Sequence, residues 1–175
     1  MASGFALLFV ALLAWRPSAS PGRKVAPSIA ARTPSPLIGV WRVVRFCEDD
    51  AATGKLSDPY GLSPSGFFVY TAGGRLSIHV ARTDAIHPFA HGDSDPTPAE
   101  SRSLLDAYFG YFGTYTVTSE STVVHHVQGG TLPSYIGTDQ QRMFRLRGDS
   151  LTIGAAPAGG GPPRTWPCRR LVRVE

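Results

Sequence analysis

The chain has 175 residues, about the length of one domain, and 42% of them are hydrophobic while 17% are charged. This composition is globular and excludes an intrinsically disordered chain, and the high counts of 19 Gly and 15 Pro favour a fold with many turns over a helical bundle. The formal net charge of +4 comes mostly from basic residues near the two ends. Because no cluster interleaves aromatic side chains with Lys or Arg, we expect no nucleic-acid partner.

The N-terminal segment contains an apolar run at residues 4–15, followed by small residues at 18–20. The run has the length of a signal-peptide core and is too short to cross a bilayer as a helix. One interpretation is a signal peptide over residues 1–20 of a secreted protein. The other is a misassigned start or a disordered tail on a cytoplasmic protein. Residues 21–36 are rich in Pro, Ser and Ala and predict a disordered linker, so the folded domain is expected at 37–175.

From residue 37 onward, short apolar runs alternate with Gly, Pro and Asp turn signals, which is typical of β-strands. Loops are predicted over residues 51–65, 83–96, 129–138 and 155–163. Strands are predicted over residues 37–47, 66–71, 75–81, 111–118, 122–128, 140–146, 150–154 and 165–174. Since most neighbouring strands are joined by short connections, the sequence predicts an all-β fold, an eight-stranded antiparallel up-and-down barrel.

One helix interrupts this pattern after the third strand. The sequence Thr97-Pro98-Ala99-Glu100 is a capping box with proline at the first helical position. Leu104, Leu105 and Tyr108 follow at helical spacing. We therefore predict one short inserted helix over residues 98–109.

Five short motifs occur in a fixed order along the chain. They are Leu37-Ile38-Gly39-Val40-Trp41-Arg42-Val43-Val44, Gly66-Phe67-Phe68-Val69-Tyr70-Thr71 with Gly74-Arg75-Leu76-Ser77, Tyr108-Phe109-Gly110-Tyr111-Phe112-Gly113-Thr114-Tyr115, His125-His126-Val127, and Gly137-Thr138-Asp139-Gln140 with Arg142 and Phe144. Together, over about residues 37–174, they resemble the lipocalin-like domain family of bacteria and fungi. The resemblance implies a barrel with an internal cavity and a packing role for Trp41 at the barrel floor, but no single activity. Some members resemble accessory proteins of secondary-metabolite pathways.

Strand alternation indicates which polar side chains enter the barrel. His125 shares a face with Val123 and Val127, so it is expected inside, together with Arg142 and Tyr115. As catalytic residues, a histidine of near-neutral pKa could move a proton, the arginine could hold a carboxylate or enolate, and the tyrosine could donate to an oxyanion. Alternatively, Arg142 pairs with an acid across the barrel and His125 is a hydrogen-bonded core residue.

Two functions fit such an interior. The first is binding of a small apolar or aromatic molecule, and the second is cofactor-free isomerisation, cyclisation or dehydration of a polyketide-like or terpenoid-like intermediate. We expect no cofactor, no integral membrane span and no metal site, and the oligomeric state stays open. His125 and His126 point in opposite directions, and His87, His91, Asp93 and Asp95 are read as a solvated loop. The predicted ligand-binding residues are Phe67, Tyr70, Phe112, Tyr115, His125 and Phe144.

The two cysteines, Cys47 and Cys168, fall on the predicted first and last strands. In a closed up-and-down barrel these strands are antiparallel neighbours. A register that pairs residue 47 with residue 168 also pairs residue 41 with residue 174, and both pairs fall within the strands. A disulfide across the barrel seam is therefore predicted for a secreted protein, and two free thiols are expected for a cytosolic one.

Overall fold

The computed structural model describes residues 34–49, 53, 55–156 and 169–175. Most of these residues lie in strands, and two one-turn 3-10 helices cover Thr83–Ala85 and Pro133–Tyr135. The elements are β1 (Gly39–Arg45), β2 (Glu48–Asp49), β3 (Leu56–Ser57), β4 (Ser65–Tyr70), β5 (Arg75–Ala81), α1 (Pro98–Ala107), β6 (Tyr108–Ser119), β7 (Thr122–Gly130), β8 (Asp139–Arg147), β9 (Ser150–Ala155) and β10 (Arg170–Arg173).

Eight of these strands close into a barrel in the order β1-β10-β9-β8-β7-β6-β5-β4. Every neighbouring pair is antiparallel, and β1 pairs with both β4 and β10, so this sheet has no free edge. The predicted eight-stranded antiparallel barrel with one helix is therefore confirmed. The two-residue strands β2 and β3 form a separate ladder, which the sequence did not reveal because two residues are too few to show alternation.

The inserted helix begins as predicted and ends two residues early. Thr97 accepts a hydrogen bond from the Glu100 amide, and the Glu100 carboxylate accepts one from the Thr97 amide, which completes the capping box. Tyr108 already has extended backbone angles, φ −136° and ψ 133°. β6 thus starts at Tyr108 instead of the predicted residue 111, because Phe109 and Tyr111 follow the two-residue period of a strand and both are buried.

Inward-facing residues of the eight strands form one apolar core. Trp41 is fully buried in it, and its indole N–H donates to the Leu37 carbonyl over 2.7 Å. The guanidinium of Arg173 lies 4.0 Å from the centroid of the indole ring. Trp41 therefore has the packing position that the resemblance implied.

The barrel seam between β1 and β10 differs by one residue from the predicted register. Trp41 pairs with Arg173, not with residue 174, and a bulge between Val43 and Arg45 then shifts the register so that Arg45 pairs with Arg170. The pair Arg45 and Arg170 agrees with the predicted register.

Several predictions fall outside the described residues. They include the signal peptide, the linker up to residue 33, residues 165–168 of the last strand, and Cys168 with its disulfide to Cys47. Cys47 itself is buried, and its carbonyl accepts a hydrogen bond from Arg169 Nε over 3.2 Å. Residues 34–36, the last of the predicted linker, are described and lead into a turn in which the Ile38 amide donates to the Ser35 carbonyl. Within the described part of the chain, no helix is long and apolar enough to span a membrane.

Candidate functional site

His125 lies at the centre of a buried polar chain inside the barrel. Its position on β7 between Val123 and Val127 directs the ring inward, as alternation predicts, and the residue is 0% exposed. The Tyr70 hydroxyl, from β4, lies 3.0 Å from Nε2, and the Tyr111 hydroxyl, from β6, lies 2.7 Å from Nδ1. Both nitrogens of the ring are thus engaged by phenols from opposite sides.

Burial determines the protonation states of His125, Tyr70 and Tyr111. Loss of solvation, helped by the positive charge of Arg142, lowers the pKa of His125 to about 3. Loss of solvation also raises the pKa of Tyr111 to about 12 and holds the pKa of Tyr70 well above its usual 10. All three groups are neutral at physiological pH, so the expectation of a near-neutral pKa for His125 is wrong.

The number of available donors and acceptors determines which group donates in each hydrogen bond between Tyr70, His125 and Tyr111. Tyr70 is 1% exposed, and its hydroxyl has His125 Nε2 as its single side-chain partner among the described residues. A buried hydroxyl proton without an acceptor costs about 1–3 kcal/mol, so Tyr70 donates to Nε2. A neutral imidazole then carries its proton on Nδ1 and donates to the Tyr111 oxygen. The Tyr111 proton is left to point away from His125.

Two arginines lie at the same site as the hydrogen-bonded Tyr70, His125 and Tyr111 side chains. Arg142, on β8, is only 7% exposed and donates to the Gln141 carbonyl over 3.1 Å and to Gln140 Oε1 over 3.3 Å. Within the described residues no carboxylate lies within 4 Å of its guanidinium, so the predicted acid partner is not found there. Arg142 therefore holds its charge inside the barrel with neutral partners.

Arg169 is closer to solvent. Its side chain is 19% exposed, the guanidinium lies 4.2 Å from the centroid of the Phe46 ring, and one nitrogen lies 3.3 Å from a carboxylate oxygen of Glu48. Burial and the like charge of Arg142 both lower the pKa of Arg169. The two arginines are therefore near enough to repel each other.

Free space inside the barrel adjoins this polar end. It is small: the volume open to the centre of a water-sized sphere is about 10 Å³, room for about one water molecule. Among the described residues, aromatic and branched side chains fill most of the interior around this space. The space is lined by Phe46, Phe68, Phe109, Tyr111, His125, Arg142, Ile153, Gly154 and Arg169.

Two predicted wall residues lie outside the barrel. Phe67 is 44% exposed and Phe112 is 53% exposed. On each strand the neighbouring residue, Phe68 or Tyr111, takes the inward position, and alternation sends the next side chain outward. Of the remaining predicted wall residues, Phe144 is 1% exposed and packs in the core.

Tyr115 is inside but does not reach His125. Its hydroxyl donates to the Thr71 carbonyl over 2.9 Å, and its ring packs edge-on against Tyr70 with centroids 5.0 Å apart. Tyr115 thus supports Tyr70, and the tyrosine that lines the free space with Arg142 is Tyr111. One further step of the two-residue period, back from Tyr115 past Gly113, would have identified Tyr111.

No metal site is formed by the described residues, where no three His, Cys, Asp or Glu side chains cluster as ligands. His126 faces outward, with Nδ1 2.6 Å from Asp139 and Nε2 3.1 Å from the Thr116 hydroxyl. The loop residues His87 and His91 are exposed.

Comparison with known proteins agrees with this architecture. No curated protein matches the chain. The model of the lipocalin-like domain family matches residues 38–161, which includes His125, both flanking tyrosines and Arg142 but not Arg169. Lipocalin-like barrels are a fold for ligand binding, and this match covers well over half of the chain. The chain belongs to the lipocalin-like domain family.

Proposed function

We propose that the barrel binds a small organic molecule at the end of its interior where Arg142 and Arg169 meet. One observation carries this proposal: charged and hydrogen-bonding groups converge on the free space of an otherwise apolar core. Such a combination of apolar wall and few polar groups is typical of small-molecule sites. The apolar part of the ligand would contact Phe46, Phe68 and Phe109.

A ligand larger than water needs one side chain to move. Arg169 is the best candidate, because it is partly exposed and is held by a ring contact with Phe46, a hydrogen bond to the Cys47 carbonyl and an ion pair with one exposed carboxylate, Glu48. Each of these partly buried contacts contributes on the order of 1 kcal/mol. Displacing Arg169 from Phe46 would join the free space to solvent without opening the strands.

Binding is better supported than catalysis. With its pKa lowered to about 3, His125 is a weak base at neutral pH. The isomerase, cyclase or dehydratase alternative would instead need Tyr111 and Arg142 to hold an enolate. We propose further that the ligand is an intermediate or product of secondary metabolism, which is supported by the resemblance of some family members to accessory proteins of such pathways.

The proposal is tested with a pair of tryptophan substitutions on β6. Phe109→Trp adds volume to the wall of the free space, whereas Phe112→Trp adds the same volume outside the barrel. Small aromatic probes (benzyl alcohol, benzamide and benzoate) are titrated by calorimetry. We expect at least one probe to bind the wild type and Phe112→Trp equally, and Phe109→Trp at least about tenfold more weakly. Equal binding by all three proteins, or none by any, would contradict a site inside the barrel.

A further inference from the structure

The charges around the free space do not balance. Arg142 has only neutral partners among the described residues, and Arg169 has one carboxylate, Glu48, whose side chain is 54% exposed. Two cations therefore face one partly solvated anion. Keeping an uncompensated charge in a barrel interior costs stability. A ligand that supplies one negative charge would remove this cost.

We propose, on the basis of the binding function above, that the ligand is a monocarboxylate held as its anion by Arg142, Arg169 and the Tyr111 hydroxyl. A carboxylate has two coplanar oxygens, which match the planar fork of a guanidinium. A dianion such as phosphate would exceed the single uncompensated charge. The aromatic lining suits an apolar body behind the carboxylate.

Tyr111 is directed toward this role by its neighbour. Because Tyr70 donates to Nε2 of His125, the Nδ1 proton is donated to the Tyr111 oxygen. The Tyr111 hydroxyl then has to donate its own proton elsewhere, and the guanidinium of Arg142 offers no acceptor. A carboxylate oxygen in the free space would accept it. The buried histidine thereby acts as a positioning residue that fixes Tyr111 as a donor.

The experiment compares benzoate with benzamide, which has nearly the same shape and no charge. At pH 7 we expect benzoate to bind at least about tenfold more tightly than benzamide. Arg142→Gln should abolish this preference, and Arg147→Gln, an exposed position on the same strand, should retain it. Circular dichroism checks that both variants are folded.

A second variant keeps the test valid if Arg142→Gln does not fold. Glu48 is exposed, so Glu48→Gln should fold normally, and by releasing Arg169 it should raise benzoate affinity about threefold or more while leaving benzamide unchanged. Tyr111→Phe should lower benzoate affinity more than benzamide affinity.

The outcomes separate the two proposals. If benzamide binds the wild type as tightly as benzoate, the binding function stands and the carboxylate inference is overturned. If benzoate preference survives Arg142→Gln and is unaffected by Glu48→Gln, the inference is overturned as well. If neither probe binds, the proposed function itself fails.

Discussion

The buried imidazole of His125 makes the stability of the barrel depend on pH in a predictable direction. Its pKa is about 3 in the folded protein and about 6.5 in an unfolded chain. Above pH 6.5 the His125 ring is neutral in both the folded and the unfolded state, so it does not lower the free energy of unfolding. As the pH falls below 6.5, the imidazole binds a proton in the unfolded state but not in the folded state. The free energy of unfolding therefore decreases progressively until about pH 3.

The magnitude follows from the shift. Each pH unit between the two pKa values changes the free energy of unfolding by about 1.4 kcal/mol. Between pH 7.5 and pH 4.5, His125 alone should therefore remove about 3 kcal/mol, most of it below pH 6.5. That is a large part of the 5–15 kcal/mol, roughly, that stabilises a typical domain.

Urea unfolding at several pH values between 7.5 and 4.5 measures this effect. His125→Gln removes the titrating ring and keeps hydrogen-bonding capacity, so its stability should fall by about 3 kcal/mol less than that of the wild type over the same range. His87→Gln, at an exposed loop position, is the matched control and should follow the wild type. If His125→Gln and the wild type lose stability in parallel, His125 is not a buried neutral residue and the hydrogen-bond direction derived from it is wrong.

Three further predictions concern the surroundings of the site and the seam. Tyr70→Phe should lower the free energy of unfolding by about 1–3 kcal/mol, because Nε2 of His125 loses its buried hydrogen-bond donor. Tyr115→Phe should lower it less, because water can reach the Thr71 carbonyl that its hydroxyl contacts. Urea unfolding of both variants measures the two losses of stability. Arg142→Met should leave stability unchanged or raise it by up to about 2 kcal/mol while removing benzoate binding, and a marked fall in melting temperature would contradict an uncompensated charge. For a secreted protein, a thiol assay of the denatured, unreduced chain should find Cys47 and Cys168 both oxidised. Reduction of the disulfide should lower the free energy of unfolding by about 4 kcal/mol. Two free thiols would overturn the predicted bridge.

The sequence was sufficient for the number and order of the barrel strands and for the inward direction of His125 and Arg142. Alternation is a local property, so Val123, His125 and Val127 could be assigned to one face without knowing their partners. It also shows why neither Phe67 nor Phe112 is a wall residue, because Phe68 and Tyr111 occupy the inward positions.

Which residues come together at the site depends on contacts between segments that are distant in the sequence, and these could not be predicted from it. Arg169 reaches Phe46 and Glu48 only because β10 returns beside β1, a separation of more than a hundred residues. The pKa of His125 likewise depends on how fully other strands cover it, which no local pattern encodes. The one-residue register error at Trp41 has a similar origin, since the bulge after Val43 is a property of the paired strands.

A crystal structure of the protein soaked with 4-bromobenzoate tests the central claim most directly. Anomalous scattering locates the bromine independently of the fitted side chains. The account predicts a bromine peak inside the barrel among Phe46, Phe68 and Phe109, with the carboxylate within hydrogen-bond distance of Arg142. Bromine peaks confined to the outer surface, with the interior space no larger than in the unliganded protein, would contradict it.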